Sequence, residues 1–212
     1  MGKIDKYKEV DNLPNVFTEP EEFRKIFDVL RTRFDRVIVE LGSGHGDWLL
    51  KYAQDNPQDL FVAIEIKGDR IWHGAKEAHT KQIENILFIH DDALKFEQYF
   101  PTESIDELWI QFPEPLPKKK HEKRRFTAQN RLEAYHNLLK PKGKIVFKTD
   151  EPQLFQFTLK QLKDLRGFQV AQQDERFDLY RPNTGPLSLP TYYEQQHLEH
   201  GREVMLLVLE KN

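Results

Sequence analysis

Apolar and polar positions along this chain follow two rhythms. Short apolar runs occupy residues 37–41, 60–66, 86–90, 105–111 and 144–148. Between them, residues 46–54, 69–81, 123–139 and 153–165 carry apolar side chains at every third or fourth position. The first rhythm predicts buried strands and the second amphipathic helices. Ahead of them, Phe23, Ile26, Phe27, Leu30 and Phe34 recur at helical spacing behind Thr18-Glu19-Pro20, which predicts a helix over 19–34. Strands alternating with helices predict an α/β fold with a mostly parallel central sheet and helices on both faces. Residues 191–200 read as a short helix, and 202–210, with Val-Met-Leu-Leu-Val-Leu, as a buried strand. Because that strand follows the turn-rich Arg181-Pro-Asn-Thr-Gly-Pro186, it is expected to enter the sheet antiparallel. Residues 1–18, polar and interrupted by Pro14, read as an N-terminal arm, and 19–212 as a single domain.

Composition narrows the class. The 212 residues are 38% hydrophobic and 32% charged, enough apolar content for a core and too much for a disordered chain. The net charge of −3 announces no nucleic-acid partner globally, so any such partner must be met by a local patch. The chain has no cysteine, which excludes disulfides, thiolate metal sites and a cysteine nucleophile. His197 and His200 fall near one another on one predicted helix, but no third ligand joins them, so no metal is expected. The opening MGKIDKYKEV is charged and no run reaches membrane-spanning length, so a cytoplasmic protein with no membrane association is expected.

Three successive strand ends carry candidate chemistry. The first runs straight into a glycine turn, Val37-Ile-Val-Glu-Leu-Gly-Ser-Gly-His-Gly-Asp47, in which Gly42, Gly44 and Gly46 allow positive φ and a close backbone approach to a ligand. The second presents Glu65, a carboxylate suited to accept both hydroxyl protons of a ribose. The third ends in His90-Asp91-Asp92, where Asp92 is a candidate acceptor for an adenine amino group. Together they describe a nucleoside-binding edge. The G-x-G-x-G form preceded by Glu40 resembles motif one of class I methyltransferases. Glu40 can meet the charged amino-acid end of S-adenosylmethionine, which a nicotinamide cofactor lacks.

The fourth strand is followed by Gln111-Phe-Pro-Glu-Pro-Leu-Pro-Lys-Lys-Lys-His-Glu-Lys-Arg-Arg-Phe126. Pro113 and Pro115 restrict the backbone around Glu114. Lys118, Lys119, Lys120, Lys123, Arg124 and Arg125 then form a cationic cluster that reads as a tracker of a phosphate backbone.

This segment resembles the F-P-D-P-W-x-K-x-R-H-x-K-R-R signature of the bacterial tRNA (guanine-N7-)-methyltransferases. The resemblance continues in Gly143-Lys-Ile-Val-Phe-Lys-Thr-Asp150 and in Thr191-Tyr-Tyr-Glu194, similar to the family's T-x-[FY]-E, and spans roughly residue 36 to the C-terminus. It implies a Rossmann-like class I fold and transfer of a methyl group from S-adenosyl-L-methionine to N7 of a guanosine in the variable loop of tRNA. No obligatory protein partner is implied, and the enzyme is expected to be a monomer or homodimer. By resemblance, Glu40, Gly42, Gly44, Glu65 and Asp92 bind the methyl donor, and Glu114 stands at the active-site aspartate, touching donor and substrate. Lys118, Asp150, Thr191, Tyr192, Tyr193 and Glu194 are implied in substrate binding. From the residues alone, Asp150 reads better as a helix cap, and Thr191 with Glu194 can likewise form a capping box. The family's aspartate, tryptophan and arginine are Glu114, Leu116 and Lys120 here, and the arginine-rich opening is absent. These departures leave open an RNA-binding protein with weak or lost transfer activity, or a class I methyltransferase with another substrate.

Overall fold

The computed structural model describes residues 2–163, 165–177, 185–191, 194–195 and 203–212. The chain divides into two compact units, Met1–Pro101 and Thr102–Asn212.

The first unit contains α1 (Lys3–Val10), β1 (Val16–Phe17), α2 (Pro20–Leu30), β2 (Val37–Leu41), α3 (Asp47–Asp55), β3 (Leu60–Ile64), α4 (Gly68–Thr80) and β4 (Ile86–Ile89). Its strands lie in the order β1-β4-β3-β2, and every pair is parallel. Every residue of β2, β3 and β4 is buried, which is why these strands read as continuous apolar runs rather than alternating ones. The apolar residues predicted for α2 are only partly used. Phe23 and Phe27 are fully buried and join Phe17, Tyr99 and Phe100 in edge-to-face and stacked contacts, with centroids 5.2–5.8 Å apart. Ile26 is exposed, and the helix ends at Leu30 rather than at Phe34.

Residues 1–18, read from the sequence as an arm, carry α1 and β1. Val10, Leu13 and Val16 are buried, but most of the attachment is polar. Glu9 accepts from Trp72 Nε1 (3.1 Å) and Lys76 Nζ (2.6 Å) on α4, and Asp11 Oδ1 lies 2.6 Å from Nδ1 of His90. Lys6 Nζ lies 2.7 Å from Nε2 of His73. Burial, helped by the Lys6 ammonium, holds the His73 imidazole below its ordinary pKa, so it meets Lys6 as a neutral acceptor.

Helix α4 also presses on the glycine turn. A Cβ at Gly74 would lie 2.4 Å from the His45 carbonyl oxygen and 3.0 Å from the Phe88 ring. Gly74→Ala is therefore expected to lower the unfolding free energy by about 1–3 kcal/mol, as overpacking does. Urea denaturation checks this, and an unchanged midpoint would mean that the turn yields freely.

The second unit contains β5 (Ile105–Gln111), α5 (Gln129–Leu138), β6 (Leu139–Thr149), α6 (Pro152–Leu162), β7 (Phe168–Asp174) and β8 (Met205–Lys211). Its strand order is β5-β6-β8-β7. β5 and β6 are parallel, and β8 is antiparallel to both neighbours, as expected of the C-terminal strand. The helix expected over 123–139 divides into a 3-10 turn, Lys119–Arg124, and α5, with Leu139 already in β6. The helix expected over 191–200 falls largely outside the described residues. Among the described residues, no helix is long and apolar enough to cross a membrane.

Candidate active site

In the first unit, β2 delivers buried Glu40 and then the turn. Gly42, Gly44 and Gly46 have φ of 71°, 60° and 77°, the left-handed region that glycine enters without a Cβ clash. The N–H groups of Gly42 and Ser43 both donate to the last carbonyl of β3, Ile64, at 2.8 and 3.0 Å. Glu65 is the latch. Its buried carboxylate accepts from Gly44 N–H through Oε2 (3.0 Å) and from Lys67 N–H, just before α4, through Oε1 (2.9 Å).

The end of β4 divides its two aspartates. Asp92 caps the 3-10 turn Ala93–Gln98, with Oδ1 accepting from Leu94 N–H at 2.9 Å. Asp91 accepts from Asp92 N–H, Tyr99 O–H and Lys95. Burial works against the Asp91 charge, but these bonds outweigh it and hold the carboxyl below the usual range. Burial, and then the bond to Asp91, push the Tyr99 hydroxyl up, so it stays a donor.

The glycine turn has room beside it for a ligand. Nothing lies within 4 Å of where a Gly44 Cβ would stand. Ser43 Oγ is buried with no hydrogen-bond partner among the described residues. Open space beside a latched carboxylate and an orphaned hydroxyl fits a ligand that carries hydroxyl groups.

In the second unit, β5 leads into the proline loop. Phe112 and Leu116 have φ of 49° and 44°, strained for residues with a Cβ, at about 1–2 kcal/mol each. The strain is held from both sides. Phe112 N–H donates to Lys148 O (2.9 Å), and Arg125 donates from Nε and Nη2 to Leu116 O (3.3 and 3.1 Å). Arg125 is buried, with its guanidinium 4.3 Å from the Phe157 ring. Its charge is thus spent on holding the loop, unlike those of Lys118, Lys119, Lys120, Lys123 and Arg124, which are exposed, as is Glu114.

At the far end of β6, Asp150 is half-buried. The N-cap of α6 is Glu151, not Asp150, and Glu151 N–H donates to Thr149 Oγ1 (3.1 Å). Thr191 and Glu194 form a reciprocal cap. Glu194 N–H donates to Thr191 Oγ1 (3.1 Å), and Thr191 N–H donates to Glu194 Oε2 (2.7 Å). The other oxygen, Oε1, accepts from Lys148 Nζ at 2.8 Å, and both side chains are 0% exposed. Lys148 Nζ also faces the rings of Trp109 and Phe177, at 5.8 and 5.6 Å. Tyr192 and Tyr193 lie outside the described residues.

The family described as "Putative methyltransferase" matches residues 35–207. The tRNA (guanine-N(7)-)-methyltransferase of Mycoplasma pneumoniae is 34% identical over 92% of this chain and 90% of its own length. That of Porphyromonas gingivalis is 36% identical over 78% of this chain and 67% of its own.

The chain belongs to the tRNA (guanine-N7-)-methyltransferase family.

Solved structures show the same fold at lower identity. The 16S rRNA methyltransferase KamB aligns at a TM-score of 0.67 with 17% identity, covering 88% of this chain and 92% of its own. A 16S rRNA (adenine(1408)-N(1))-methyltransferase from Catenulisporales acidiphilia, solved with cosubstrate SAM, aligns at 0.60 with 16% identity, covering 91% of each.

Within this family member, sequence reading singled out the carboxylates but passed over Lys148. A lysine inside an apolar strand, Ile145-Val-Phe-Lys148, was the available signal, because a buried ammonium requires a partner.

Proposed function

We infer that this chain transfers a methyl group from S-adenosyl-L-methionine to N7 of a guanosine in the variable loop of tRNA. The observation that carries this reading is the stiff Pro113-Glu114-Pro115 turn leading directly into five exposed cations, in a chain of this family. The donor, when bound, supplies an electrophilic methyl group on a sulfonium sulfur. Glu40 would hold its amino-acid end, Gly42 and Gly44 would pass close beneath it, Glu65 would accept from the ribose hydroxyls and Asp92 from the adenine amino group. Glu114 would complete this set.

Guanine N7 carries a lone pair and no proton, so the reaction needs no general base. Catalysis is then mostly alignment, together with stabilisation of the positive charge left on the methylated base. Glu114 is the carboxylate for that charge, with Asp150 close in sequence to the Lys148–Glu194 pair that orders the Thr191 segment. Lys118 would meet the substrate directly. Lys119, Lys120, Lys123 and Arg124 would hold phosphates while the guanosine is turned out of its stack. Arg125 is set aside from that role, because its guanidinium is committed to Leu116 O and Phe157. The enzyme would work in the cytoplasm without a partner protein.

The test is transfer from labelled S-adenosylmethionine to unmodified tRNA, with chain cleavage at N7-methylguanosine to map the site. Label at one variable-loop guanosine is expected. Binding of donor and tRNA without transfer would instead favour an RNA-binding protein, as the replacements at Glu114 and Leu116 allow.

A further inference from the structure

Beside the exposed cations, within the second unit, lies a groove of about 550 Å³ that the reaction above does not use. Glu122 and Lys123 of the 3-10 turn form one side. Ala128, with Gln129, Asn130 and Glu133 of α5 and Phe157 and Gln161 of α6, forms the rest. The volume falls within the range of small-molecule sites, roughly 300–1,000 Å³, and is ample for one nucleotide.

Its chemistry is selective. Phe157 supplies an aromatic ring, braced by the buried Arg125. Around it stand amides and carboxylates, the groups that read donors and acceptors on the edges of bases. Two of them are already aimed. Gln161 Oε1 accepts from Gln129 N–H at the start of α5 (3.2 Å), which leaves the Gln161 amide nitrogen as a donor. Glu133 Oε1 accepts from Gln129 Nε2 (2.9 Å), which fixes the carboxylate while its second oxygen keeps its acceptor capacity. Glu122 and Glu133 would repel a phosphate. The cations that suit a phosphate, Lys119, Lys120 and Arg124, lie outside the groove, and only Lys123 belongs to both.

The geometry points to a nucleobase site: this groove takes one unstacked base of the substrate RNA, distinct from the methylated guanine, while the neighbouring cations hold the phosphates on either side of it. Single-stranded RNA is read in this way, by an aromatic ring and by side chains at the base edge. The inference rests on the reading that the substrate is RNA.

The experiment compares the parent chain with Asn130→Ala/Gln161→Ala, with the groove-filling Asn130→Trp, and with Lys119→Ala. Affinity for a tRNA transcript is measured across a salt series, together with KM for RNA, kcat and donor Kd. Both groove variants are expected to raise KM for RNA about tenfold, within the effect typical of one base contact. Their kcat and donor Kd should stay at parental values, and so should the unfolding midpoint of Asn130→Trp, which leaves the Gln161 cap on Gln129 N–H in place. The salt slope separates the two kinds of contact. Lys119→Ala should flatten it by roughly 0.7–0.9, one phosphate's worth, and the groove variants should leave it unchanged.

Parental KM values in both groove variants would overturn the inference. So would a flattened slope in them, because the groove would then hold a phosphate. Methyl transfer by the parent chain reports separately on the reaction, so a protein that binds tRNA without transferring methyl would sink the enzymatic reading while the binding ratios still decide the groove.

Discussion

Lys148→Met is expected to lower the unfolding free energy by about 3–5 kcal/mol, the usual effect of removing one partner from a buried pair. Lys148 and Glu194 are both fully buried, and Nζ to Oε1 is 2.8 Å. Methionine fills much the same space but leaves the Glu194 carboxylate fully buried without its counter-charge. Adding Glu194→Gln should return most of the loss. The amide oxygen can still accept from Thr191 N–H, and no buried charge remains. Urea unfolding of both single variants and the double variant closes the cycle, and a coupling near zero would show the pair to be incidental. If Thr191 and Glu194 meet the substrate as proposed above, the loss should reach RNA binding too, since the pair holds their cap.

Glu114→Gln should act on turnover and leave stability alone. The side chain is exposed, so the change removes no buried contact. Glutamine keeps the size and an acceptor oxygen but loses the negative charge that would face the cationic methylated base. Loss of one such stabilising group costs a reaction about 100-fold or more in kcat. Turnover should fall far more than donor affinity, and the unfolding midpoint should not move. Pre-steady-state methyl transfer at saturating tRNA is the direct measurement, and a parental rate would remove Glu114 from the chemistry.

How far the sequence could be read depended on whether local or distant residues set the outcome. β2 to β5 and the glycine turn were legible because each is declared by a short local pattern, and the positive φ values of Gly42, Gly44 and Gly46 follow from the turn's tightness. The C-terminal strand was legible from its apolar run and the preceding turn. Helix α1 was not, because its docking face is charged: Lys3, Lys6 and Glu9 find Asp69, His73 and Lys76, 66 or 67 residues on, which no apolar period announces. β7 was missed for a related reason. Five consecutive positions in it, Gln169 to Gln173, are exposed, so its pattern is mostly polar. The Lys148 charge was overlooked, and the buried setting of Arg125 was not foreseen, because Glu194 and Phe157 are remote in sequence. Two carboxylates at the strand ends show a further difference. Glu65 and Asp92 were singled out for what they could offer a ligand, and the structure shows each already serving the backbone.

That double duty of Glu65 has a consequence for recognition. A free carboxylate on a flexible side chain samples several rotamers, and capturing a diol must first suppress most of them, an entropy loss that weakens binding. The Glu65 carboxylate has that choice made for it by the amides of Gly44 and Lys67, one at each oxygen. Each oxygen retains a second lone pair pointing elsewhere. A vicinal diol arriving there would meet a receptor whose shape was fixed when the chain folded.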